Sequence, residues 1–470
     1  ESIAAVMPIL TTNPTAVELL DDTVIDLARA NNEYKQYVEL MPQPAKGTLK
    51  AVLYVEYFGA APAEIEAGFA KLRGLLPGVA AMYLTDAGAM LNAWKLRKAG
   101  EPLLHGVPGN RKPITFIEDN AIPVERLSEF VKRLRQIVAD HGTIAAFYAH
   151  ASVGVLHVRP LVDIHDPEDR AIMRSISTKT ADLAKELGGV MSGEHGDGRV
   201  RSPFLERYFG PELMTAFREI KAIFDPHNLL NPGNIVEPRP IETMTQLLRV
   251  MPDDPPAAPE NQRLATVPDS IDTYFDYTDQ HGFDSAVEMC NGAGVCRKKQ
   301  GGTMCPSYMA TLDERHATRG RGNALRLAIT GQLGALRSDG SRETGPNFDD
   351  PGTIETLNLC LSCKACKTEC PSNVDIARLK AEYTAQRYAA KGTPLQAKIF
   401  GAVRLLNRLG SLTPALANWI NRTPPARALV ERILGLDPRR SLPPFARSLA
   451  SQWKREPERG GPRVVLFGDC

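Results

Sequence analysis

Four closely spaced cysteines constrain the fold of this chain more than any other feature of its sequence. Cys360, Cys363 and Cys366 are three residues apart, and Cys370 follows them just before a proline. Thiolates at C-x2-C-x2-C spacing converge on three irons of one cubane, and in two-cluster proteins the cysteine before the proline ligates the other cluster. The run therefore predicts an iron–sulfur protein, with a zinc knuckle, a disulfide framework and buried apolar thiols as the alternatives.

A second, less regular run of cysteines lies upstream. Cys290 and Cys296 are followed by Cys305 and a proline, which repeats the pattern at wider spacing. If the last cysteine of each run serves the other cluster, two ligand sets follow. The first is a complete [4Fe-4S] site of Cys305, Cys360, Cys363 and Cys366, and the second contains Cys290, Cys296 and Cys370.

The second ligand set lacks one thiolate. A regular run from Cys290 would place a cysteine at position 293, where Ala293 stands. This cluster is therefore expected to be either [3Fe-4S] or a [4Fe-4S] with water or another non-cysteine ligand. The alternative is that these cysteines pack as small apolar residues without a cluster.

The distribution of cysteine and charge indicates the cellular compartment of the chain and the kinds of partner it has. Seven of the eight cysteines lie between Cys290 and Cys370, which is typical of a local metal site in a reducing, cytoplasmic compartment. The 56 basic and 55 acidic residues leave a net charge of +1, which gives no indication of a nucleic-acid partner. No apolar run approaches the roughly 18 residues that span a bilayer, and no signal peptide is recognisable. Because the first residue is not Met, we expect the chain to begin inside a longer protein or after processing.

Residues 1–236 alternate between strand-like and helix-like segments, which predicts an α+β domain in which a mixed sheet packs with helices. Near its end, Leu213, Phe217, Ile220 and Phe224 have the spacing of a core-facing helix. The predicted strands are 50–59, 79–84, 114–118 and two within 143–160. The predicted helices are 62–76, 87–99, 124–141, 167–187 and one that ends before Asp225.

The rest of the chain divides into four further segments. Proline-rich residues 237–270 are typical of an interdomain linker, or of an ordered strap across two domains. Residues 271–391 hold the cysteine runs and are expected to form a mostly α-helical ferredoxin domain with two clusters. The sequence of residues 392–460 predicts a helical extension. Its leucines within 405–412 are expected to cover the clusters or, alternatively, to contact a membrane surface. Residues 461–470 predict the first strand of a further domain.

Three places in the first domain combine residues capable of catalysis or ligand binding. A strand, a turn and a strand would bring His150 and His157 side by side, where they either share a metal or form ordinary hydrogen bonds. Glu194 and His195 stand among glycines, which lets the backbone approach a planar ligand, although a polar turn is the plain alternative. Arg97 either clamps a carboxylate bidentately or lies on a solvated basic helix face.

These segments carry a resemblance to a known family. Trp94-x-x-Arg97, His150-x6-His157, Ser-Gly-Glu-His-Gly-Asp-Gly at 192–198 and Phe-Asp-Pro-His-Asn-Leu-Leu-Asn-Pro-Gly at 224–233 occur in this order. The series resembles the C-terminal, substrate-binding half of FAD-linked oxidases, and within them the D-lactate and D-2-hydroxyglutarate dehydrogenases. The cysteine-rich part resembles the two-cluster helical ferredoxin domain that is fused to such dehydrogenases in large bacterial proteins.

The resemblance implies a role for each matching residue. His150, His157 and Glu194 would hold a zinc-like divalent ion and leave open positions for a substrate. His195 would take the hydroxyl proton while hydride leaves C2 for FAD. The remaining implied contacts are substrate carboxylates at Arg97 and Lys112, and the flavin at Asn231.

The sequence also departs from the family pattern. Where the family has Gly-His-x-Gly-Asp-Gly-Asn-x-His, this chain has Ala-His-Ala-Ser-Val-Gly-Val-Leu-His at 149–157, which keeps both histidines but changes the loop between them. Nothing before residue 50 offers a strand followed by a glycine-rich pyrophosphate loop, so the flavin-binding half is expected to be missing. We therefore expect the chain as given to hold FAD weakly or not at all.

The resemblance implies a flavin- and iron–sulfur-dependent dehydrogenase that oxidises a D-2-hydroxy acid of the D-2-hydroxyglutarate or D-lactate type. Electrons would pass from FAD through the clusters to a quinone or a carrier protein. The alternative is a non-catalytic electron-transfer module whose first domain is a docking scaffold. The expected location is the cytoplasm, with peripheral contact at the inner membrane as a further alternative.

Overall fold

The computed structural model describes residues 2–31, 34–44, 46–245, 248, 271–331, 333, 345–437 and 439–447. The chain separates into two compact units, with the boundary between Tyr383 and Thr384. The first unit contains the sheet domain and the cysteine-rich part, and the second contains the C-terminal helices. Most of the predicted linker and the predicted strand at 461–470 lie outside the described residues.

A six-stranded sheet forms the centre of the first domain. Its order is β2-β1-β5-β6-β3, with β4 also paired to β6, and each described pair is antiparallel. The predicted α+β class, a sheet packed with helices, is confirmed. The strands are β1 (Ala16–Asp21), β2 (Ala51–Glu56), β3 (Lys112–Pro113), β4 (Asn120–Ala121), β5 (Ala145–His150) and β6 (Val155–Val162).

Helices cover the sheet and bury its apolar faces. In α7 (Leu127–Asp140) apolar residues recur every three or four positions, and Leu127, Phe130, Leu134 and Val138 are all buried in the main core. The predicted helices within 62–76, 87–99, 124–141 and 167–187 are confirmed. The other helices of this domain are α1 (Ser2–Leu10), α2 (Asp22–Ala30), α3 (Lys35–Val38), α4 (Pro62–Leu75), α5 (Ala87–Lys98), α6 (Gly100–Leu104), α8 (Pro167–Glu186), α9 (Gly198–Arg201), α10 (Leu205–Phe209) and α11 (Pro211–Phe224).

Two of the predicted strands are wrong. Residues 79–84 form no strand and none of them is buried, since no neighbouring strand among the described residues pairs with them. Residues 114–118 also form no strand, because the ladder reaches only Pro113. Pro113, which pairs with Leu161, and Pro160, whose carbonyl accepts the N–H of Ile114 at 3.1 Å, both lack an N–H, which limits the pairing. The chain instead turns inward, and Phe116 enters the core.

The helix α11 is confirmed, but only Phe217 of its predicted core face packs against the main core. Leu213, Ile220 and Phe224 are 51%, 53% and 81% exposed, whereas Met214 is buried. The helix is amphipathic, but most of its apolar side is exposed, so apolar spacing alone does not show that a face is buried.

The start of the predicted linker packs on the sheet domain. Residues 241–245 form a 3-10 helix, and Met244 belongs to the main core. Thr245 accepts a hydrogen bond from Arg174 of α8 at 2.7 Å. Residues 241–245 thus pack on the sheet domain, and whether the rest of the segment is a linker or a strap across two domains stays a prediction.

The cysteine-rich part is helical, as predicted, and has a core of its own. Leu325, Ile329, Leu379 and Tyr383 are among the apolar residues that surround its cysteines. The helices are α12 (Phe283–Glu288), α13 (Pro306–Thr311), α14 (Thr318–Ile329), α15 (Pro351–Asn358), α16 (Ala365–Glu369) and α17 (Ile376–Lys391).

The second unit consists of short helices with exposed apolar side chains. They are α18 (Leu395–Gly401), α19 (Val403–Gly410), α20 (Pro414–Arg422) and α21 (Pro424–Leu434). Leu405, Leu406, Leu409 and Leu412 are exposed, and their role as a cover over the clusters or as a membrane contact stays a prediction. None of the described helices is both long enough and apolar enough to cross a bilayer.

Candidate active site and iron–sulfur ligands

The turn between β5 and β6 brings His150 and His157 together, as the sequence predicts. β5 ends at His150. His157 lies on β6, where it pairs with Tyr148 of β5. The two imidazole rings are 5.2 Å apart between centroids and nearly perpendicular. Gly154 makes this turn feasible, because its φ is +74° and a side chain there would collide with the Ile122 carbonyl oxygen.

A buried aspartate holds the loop that carries Glu194 and His195. Asp119 accepts the backbone N–H of Glu194 at 3.1 Å and that of His195 at 2.8 Å, and the Ser192 hydroxyl at 2.6 Å. Its own φ is +80°, and such backbone strain concentrates at functional sites. Burial raises the pKa of Asp119, but these hydrogen bonds outweigh it and leave the pKa below its ordinary value. Asp119 therefore stays ionised and fixes the loop.

Three imidazole nitrogens converge on one oxygen of Glu194. Glu194 Oε1 lies 3.3 Å from Nε2 of His157, 3.5 Å from Nε2 of His195 and 3.7 Å from Nε2 of His150. These separations are longer than good hydrogen bonds. They are close to the edges of a tetrahedron around zinc, since ligands at roughly 2.0–2.1 Å from the ion are about 3.3 Å apart. The donors His150, His157 and Glu194 therefore fit a divalent ion.

His195 differs from His157 in its exposure. The side chain of His195 is 47% exposed and that of His157 is 4% exposed. The two rings stack with centroids 5.4 Å apart, and Nδ1 of His195 lies 3.7 Å from Glu118 Oε1. An imidazole at the open side of the site can exchange a proton with substrate and solvent, as a general base requires.

Sequence reasoning missed four charged residues that stand behind these side chains: Glu18, Glu118, Asp119 and Arg159. Glu18 and Arg159 lie within largely apolar, buried strands. A charge in a buried strand is costly unless it is paired, and this signal could have identified both. Glu118 and Asp119 give no such signal, because they stand at the end of the predicted strand 114–118 and just beyond it, where a charge is expected to reach solvent.

Arg97 and Lys112, the predicted carboxylate anchors, are both engaged by the protein itself. Arg97 is buried and donates to Glu18 Oε2 from Nε at 3.0 Å and from Nη2 at 2.6 Å, so a solvated basic face is wrong for this residue. Lys112 donates to the Val107 carbonyl at 2.7 Å, and burial lowers its pKa. The role of both residues in substrate binding stays a prediction.

Asn231 lies in the loop that follows α11. Asp225 organises this loop by accepting the N–H of Leu229 at 2.9 Å and that of Leu230 at 2.8 Å. Asn231 is exposed with a φ of +50°, and its Oδ1 accepts from Asn234 at 2.7 Å. Its predicted contact with the flavin stays a prediction.

The seven cysteines of the two runs form two neighbouring sets. A cleft is lined by Cys305, Cys360, Cys363 and Cys366, with Thr318 beside them. Cys290, Cys296 and Cys370 lie close enough for their charges to affect one another, and Cys305 is close enough to affect Cys296 and Cys370 as well. The assignment of each cysteine to one cluster stays a prediction. All seven are free thiols, so a disulfide framework is wrong for them.

Helix α14 begins between the two groups. The N–H of Thr318 donates to Cys305 Sγ at 3.0 Å, and the Thr318 hydroxyl is also 3.0 Å from that sulfur. The next N–H, of Arg319, donates to Cys296 Sγ at 3.4 Å. Burial raises the pKa of Cys296, and likewise of Cys366, to about 11, so these thiols need a nearby positive charge to ionise. Cluster iron supplies such a charge.

Glu369 connects the two cysteine runs. It stands between Cys366 and Cys370, accepts from the Thr303 N–H at 2.7 Å and the Thr303 hydroxyl at 2.6 Å, and pairs with Lys298. Burial opposes ionisation of Glu369, but these partners lower its pKa to about 2. The carboxylate therefore holds the loop before Cys305 against the second run.

Glu369→Gln is expected to loosen this loop and to speed the loss of iron. The amide gives up the charge that holds Lys298 and Thr303, which we expect to cost about 1–3 kcal/mol of unfolding free energy. Iron retained after timed exposure to a chelator measures the effect. Glu355→Gln is the control, because Glu355 pairs only weakly with Arg315 at 3.5 Å on the surface. Equal iron retention in the two variants would contradict the role of Glu369.

Comparison with known proteins agrees with both halves of this description. The family "FAD linked oxidases, C-terminal domain" matches residues 1–235, and the 4Fe-4S dicluster domain matches residues 286–374. The chain is 29% identical over 436 residues to the D-2-hydroxyglutarate dehydrogenase of Pseudomonas putida, with 87% of this chain and 42% of that protein covered. It is 26% identical over 455 residues to the Escherichia coli protein of the same name, with 90% and 43% covered.

A shorter match extends the comparison. The chain is 36% identical over 128 residues to the D-lactate dehydrogenase of Archaeoglobus fulgidus, with 27% of this chain and 28% of that protein covered. The chain spans less than half of the length of these curated relatives. The resemblance inferred from the four motifs and the cysteine runs is confirmed. The chain therefore belongs to the FAD linked oxidases through their C-terminal domain, which is followed here by a 4Fe-4S dicluster domain.

Proposed function

We propose that this chain is the substrate-binding and iron–sulfur part of a flavin-dependent dehydrogenase that oxidises a D-2-hydroxy acid to the 2-oxo acid. The convergence of three imidazole nitrogens on Glu194 Oε1 carries the proposal, because a docking scaffold has no need of it. Membership of the FAD linked oxidases, and similarity to proteins named D-2-hydroxyglutarate and D-lactate dehydrogenase, indicate the class of substrate.

His150, His157 and Glu194 are the residues that would hold a divalent, zinc-like ion. A bound ion supplies Lewis acidity, which lowers the free energy of the negative charge that develops on the substrate hydroxyl oxygen. Two imidazoles and one carboxylate fill three positions, so further positions stay open for the hydroxyl and carboxylate of the substrate.

His195 is the proposed base. Its Nε2 would accept the proton of the substrate hydroxyl as hydride leaves C2 with both electrons of the C–H bond. Asp119 fixes the backbone of His195, so the ring enters the site from a defined direction. FAD, when bound, is the acceptor of the hydride, and Asn231 is the residue assigned to the flavin side.

Arg97 and Lys112 are the proposed anchors of the substrate carboxylates. A guanidinium has five N–H donors, and Glu18 takes two of those of Arg97. An ammonium has three, and the Val107 carbonyl takes one of those of Lys112. Both residues thus have N–H donors that these contacts do not use. Such donors are required to bind a carboxylate of the substrate.

The cysteine-rich part is the proposed route for electrons to a quinone or a carrier protein. Cys305, Cys360, Cys363 and Cys366 would hold a [4Fe-4S] cluster, and Cys290, Cys296 and Cys370 a [3Fe-4S] or [4Fe-4S] cluster. The free thiols support a reducing, cytoplasmic compartment. The exposed leucines of α19 keep peripheral contact with the inner membrane as an alternative.

The intact protein is expected to reduce an electron-accepting dye when it is supplied with FAD and D-2-hydroxyglutarate or D-lactate. The L-enantiomers serve as controls, because one fixed base and one ion site select the configuration at C2. Dye bleaching measures the reaction. If no D-2-hydroxy acid supports dye reduction while EPR shows intact clusters, the chain is better described as a non-catalytic electron-transfer module.

A further inference from the structure

We propose that Glu18 and Glu118 are positioning residues that aim His150 and His157 at the metal ion, and that Arg97 and Arg159 hold the two glutamates in place. The inference rests on the proposed metal centre and goes beyond it, since none of these glutamates and arginines is assigned as a ligand of the ion there.

The contact between Glu18 and His150 is built into the sheet. The two residues face each other directly in the pairing of β1 with β5. Nδ1 of His150 lies 2.9 Å from Glu18 Oε1. An ionised carboxylate can only accept, so Nδ1–H is the donor and the lone pair of the imidazole lies on Nε2. Nε2 is the atom that faces Glu194.

A buried arginine fixes the orientation of Glu18. Arg97 donates twice to Glu18 Oε2, which leaves Oε1 for His150. The side chains of Arg97 and Glu18 are each only 8% exposed. A buried charge pair of this kind persists only where its geometry satisfies both partners, so Glu18 has little freedom to turn away from His150.

The same order of residues recurs on the other side of the ion site. Glu118 Oε1 lies 3.5 Å from His157 Nδ1, which is longer than a good hydrogen bond, and Glu118 Oε2 lies 2.6 Å from Arg159 Nε. Arg159 follows His157 by two residues on β6, so both side chains lie on one face of the sheet. Nε2 of His157 is again the atom that faces Glu194.

Tyr148 joins the two Arg-Glu-His series into one layer. The guanidinium carbons of Arg97 and Arg159 lie 5.3 Å and 5.5 Å from the centre of its ring. Its hydroxyl accepts from Arg159 Nη2 at 2.9 Å, and the His157 ring stacks on it with centroids 4.6 Å apart. Both histidines are thus held from behind by a connected set of buried side chains.

Carboxylates that accept from the second nitrogen of a metal-bound imidazole fix its tautomer and direction, and their loss typically weakens metal binding by 10–100-fold. We therefore expect Glu18→Ala and Glu118→Ala each to raise the Kd of the intact protein for zinc by roughly 10–100-fold. Glu18→Gln is expected to restore part of the affinity, because its amide oxygen still accepts from Nδ1–H. The larger effect is expected at Glu18, which makes the shorter contact.

Equilibrium dialysis against buffered zinc, followed by elemental analysis, gives these Kd values without reference to turnover. Iron content is measured in each sample, so that zinc in the cysteine sites is recognised. Asp169→Asn is the matched control: Asp169 is as deeply buried and pairs with Arg111 at 2.7 Å, but belongs to neither series. The double variant Arg97→Met with Glu18→Gln removes both charges together, which guards against misfolding caused by an unpaired buried arginine.

Weaker zinc binding by both alanine variants, with the wild-type Kd in Asp169→Asn, would support the inference. Wild-type Kd values in Glu18→Ala and Glu118→Ala would overturn it, as would an equal loss in Asp169→Asn, which indicates a general effect on folding. Failure of the wild-type protein itself to bind zinc would contradict the proposed metal centre, and so separates that failure from a failure of this inference alone.

Discussion

Replacement of His195 by alanine in the intact protein is expected to lower kcat for a D-2-hydroxy acid by roughly 10²–10⁴-fold, the usual contribution of a general base. The hydroxyl proton then leaves without a positioned acceptor, whereas His150, His157 and Glu194 still form the ion site. We therefore expect the zinc content, measured by elemental analysis, to stay at the wild-type level.

The control for this variant is His141→Ala. His141 is also a partly exposed histidine, but its Nε2 contacts the Ser175 hydroxyl at 2.8 Å and it belongs to no candidate ion site. Full activity of His195→Ala would contradict the assigned base. If the variant loses zinc together with activity, His195 is a ligand of the ion and not the base. The test is needed because Nε2 of His195 lies only 3.5 Å from Glu194 Oε1, which is close enough for both atoms to bind one ion.

Replacement of Cys366 by serine is expected to remove the complete cluster. Cys366 is buried and lines the cleft with Cys305, Cys360 and Cys363. A serine oxygen is a poorer ligand than a thiolate, so we expect about half of the iron and inorganic sulfide to be lost. Dyes that take electrons directly from the flavin should still be reduced, while reduction of a quinone or carrier protein should fall to background.

Cys470→Ser is the control for the cluster variant, because Cys470 belongs to neither run and lies outside the described residues. Unchanged iron in Cys366→Ser would contradict the ligand set. EPR of the oxidised wild-type protein tests the other cluster: a strong [3Fe-4S] signal would support three thiolates, and two ordinary [4Fe-4S] centres would refute that count.

The fold was predictable where local pattern and packing coincide. α7 has one narrow apolar face and packs through it, and the β5–β6 hairpin is specified by two short strands around Gly154. The failures arise where packing depends on distant parts of the chain. Residues 79–84 have the composition of a strand but find no pairing partner among the described residues, and α11 has the apolar spacing of a core helix but leaves most of that side exposed.

The residues of the site that belong to sequence motifs could be predicted, and those outside the motifs could not. His150, His157, Glu194 and His195 stand in short recognisable segments, and the structure brings them together. Glu18 could not be placed with them, because it is 132 residues from His150 in sequence and meets it only through the register of β1 on β5. Asp119 was hidden for a similar reason, since a bend in place of a predicted strand turns it inward.

The start of α14 has a consequence for the redox balance of the protein. Two consecutive N–H groups, of Thr318 and Arg319, point at sulfurs of the two different cysteine groups. Hydrogen bonds and the positive end of a helix dipole both raise the potential of a cluster. In the proposed two-cluster arrangement, one helix terminus would therefore act on both clusters at once. A substitution that unwinds the first turn of α14 is expected to lower both potentials, because it removes both N–H donors.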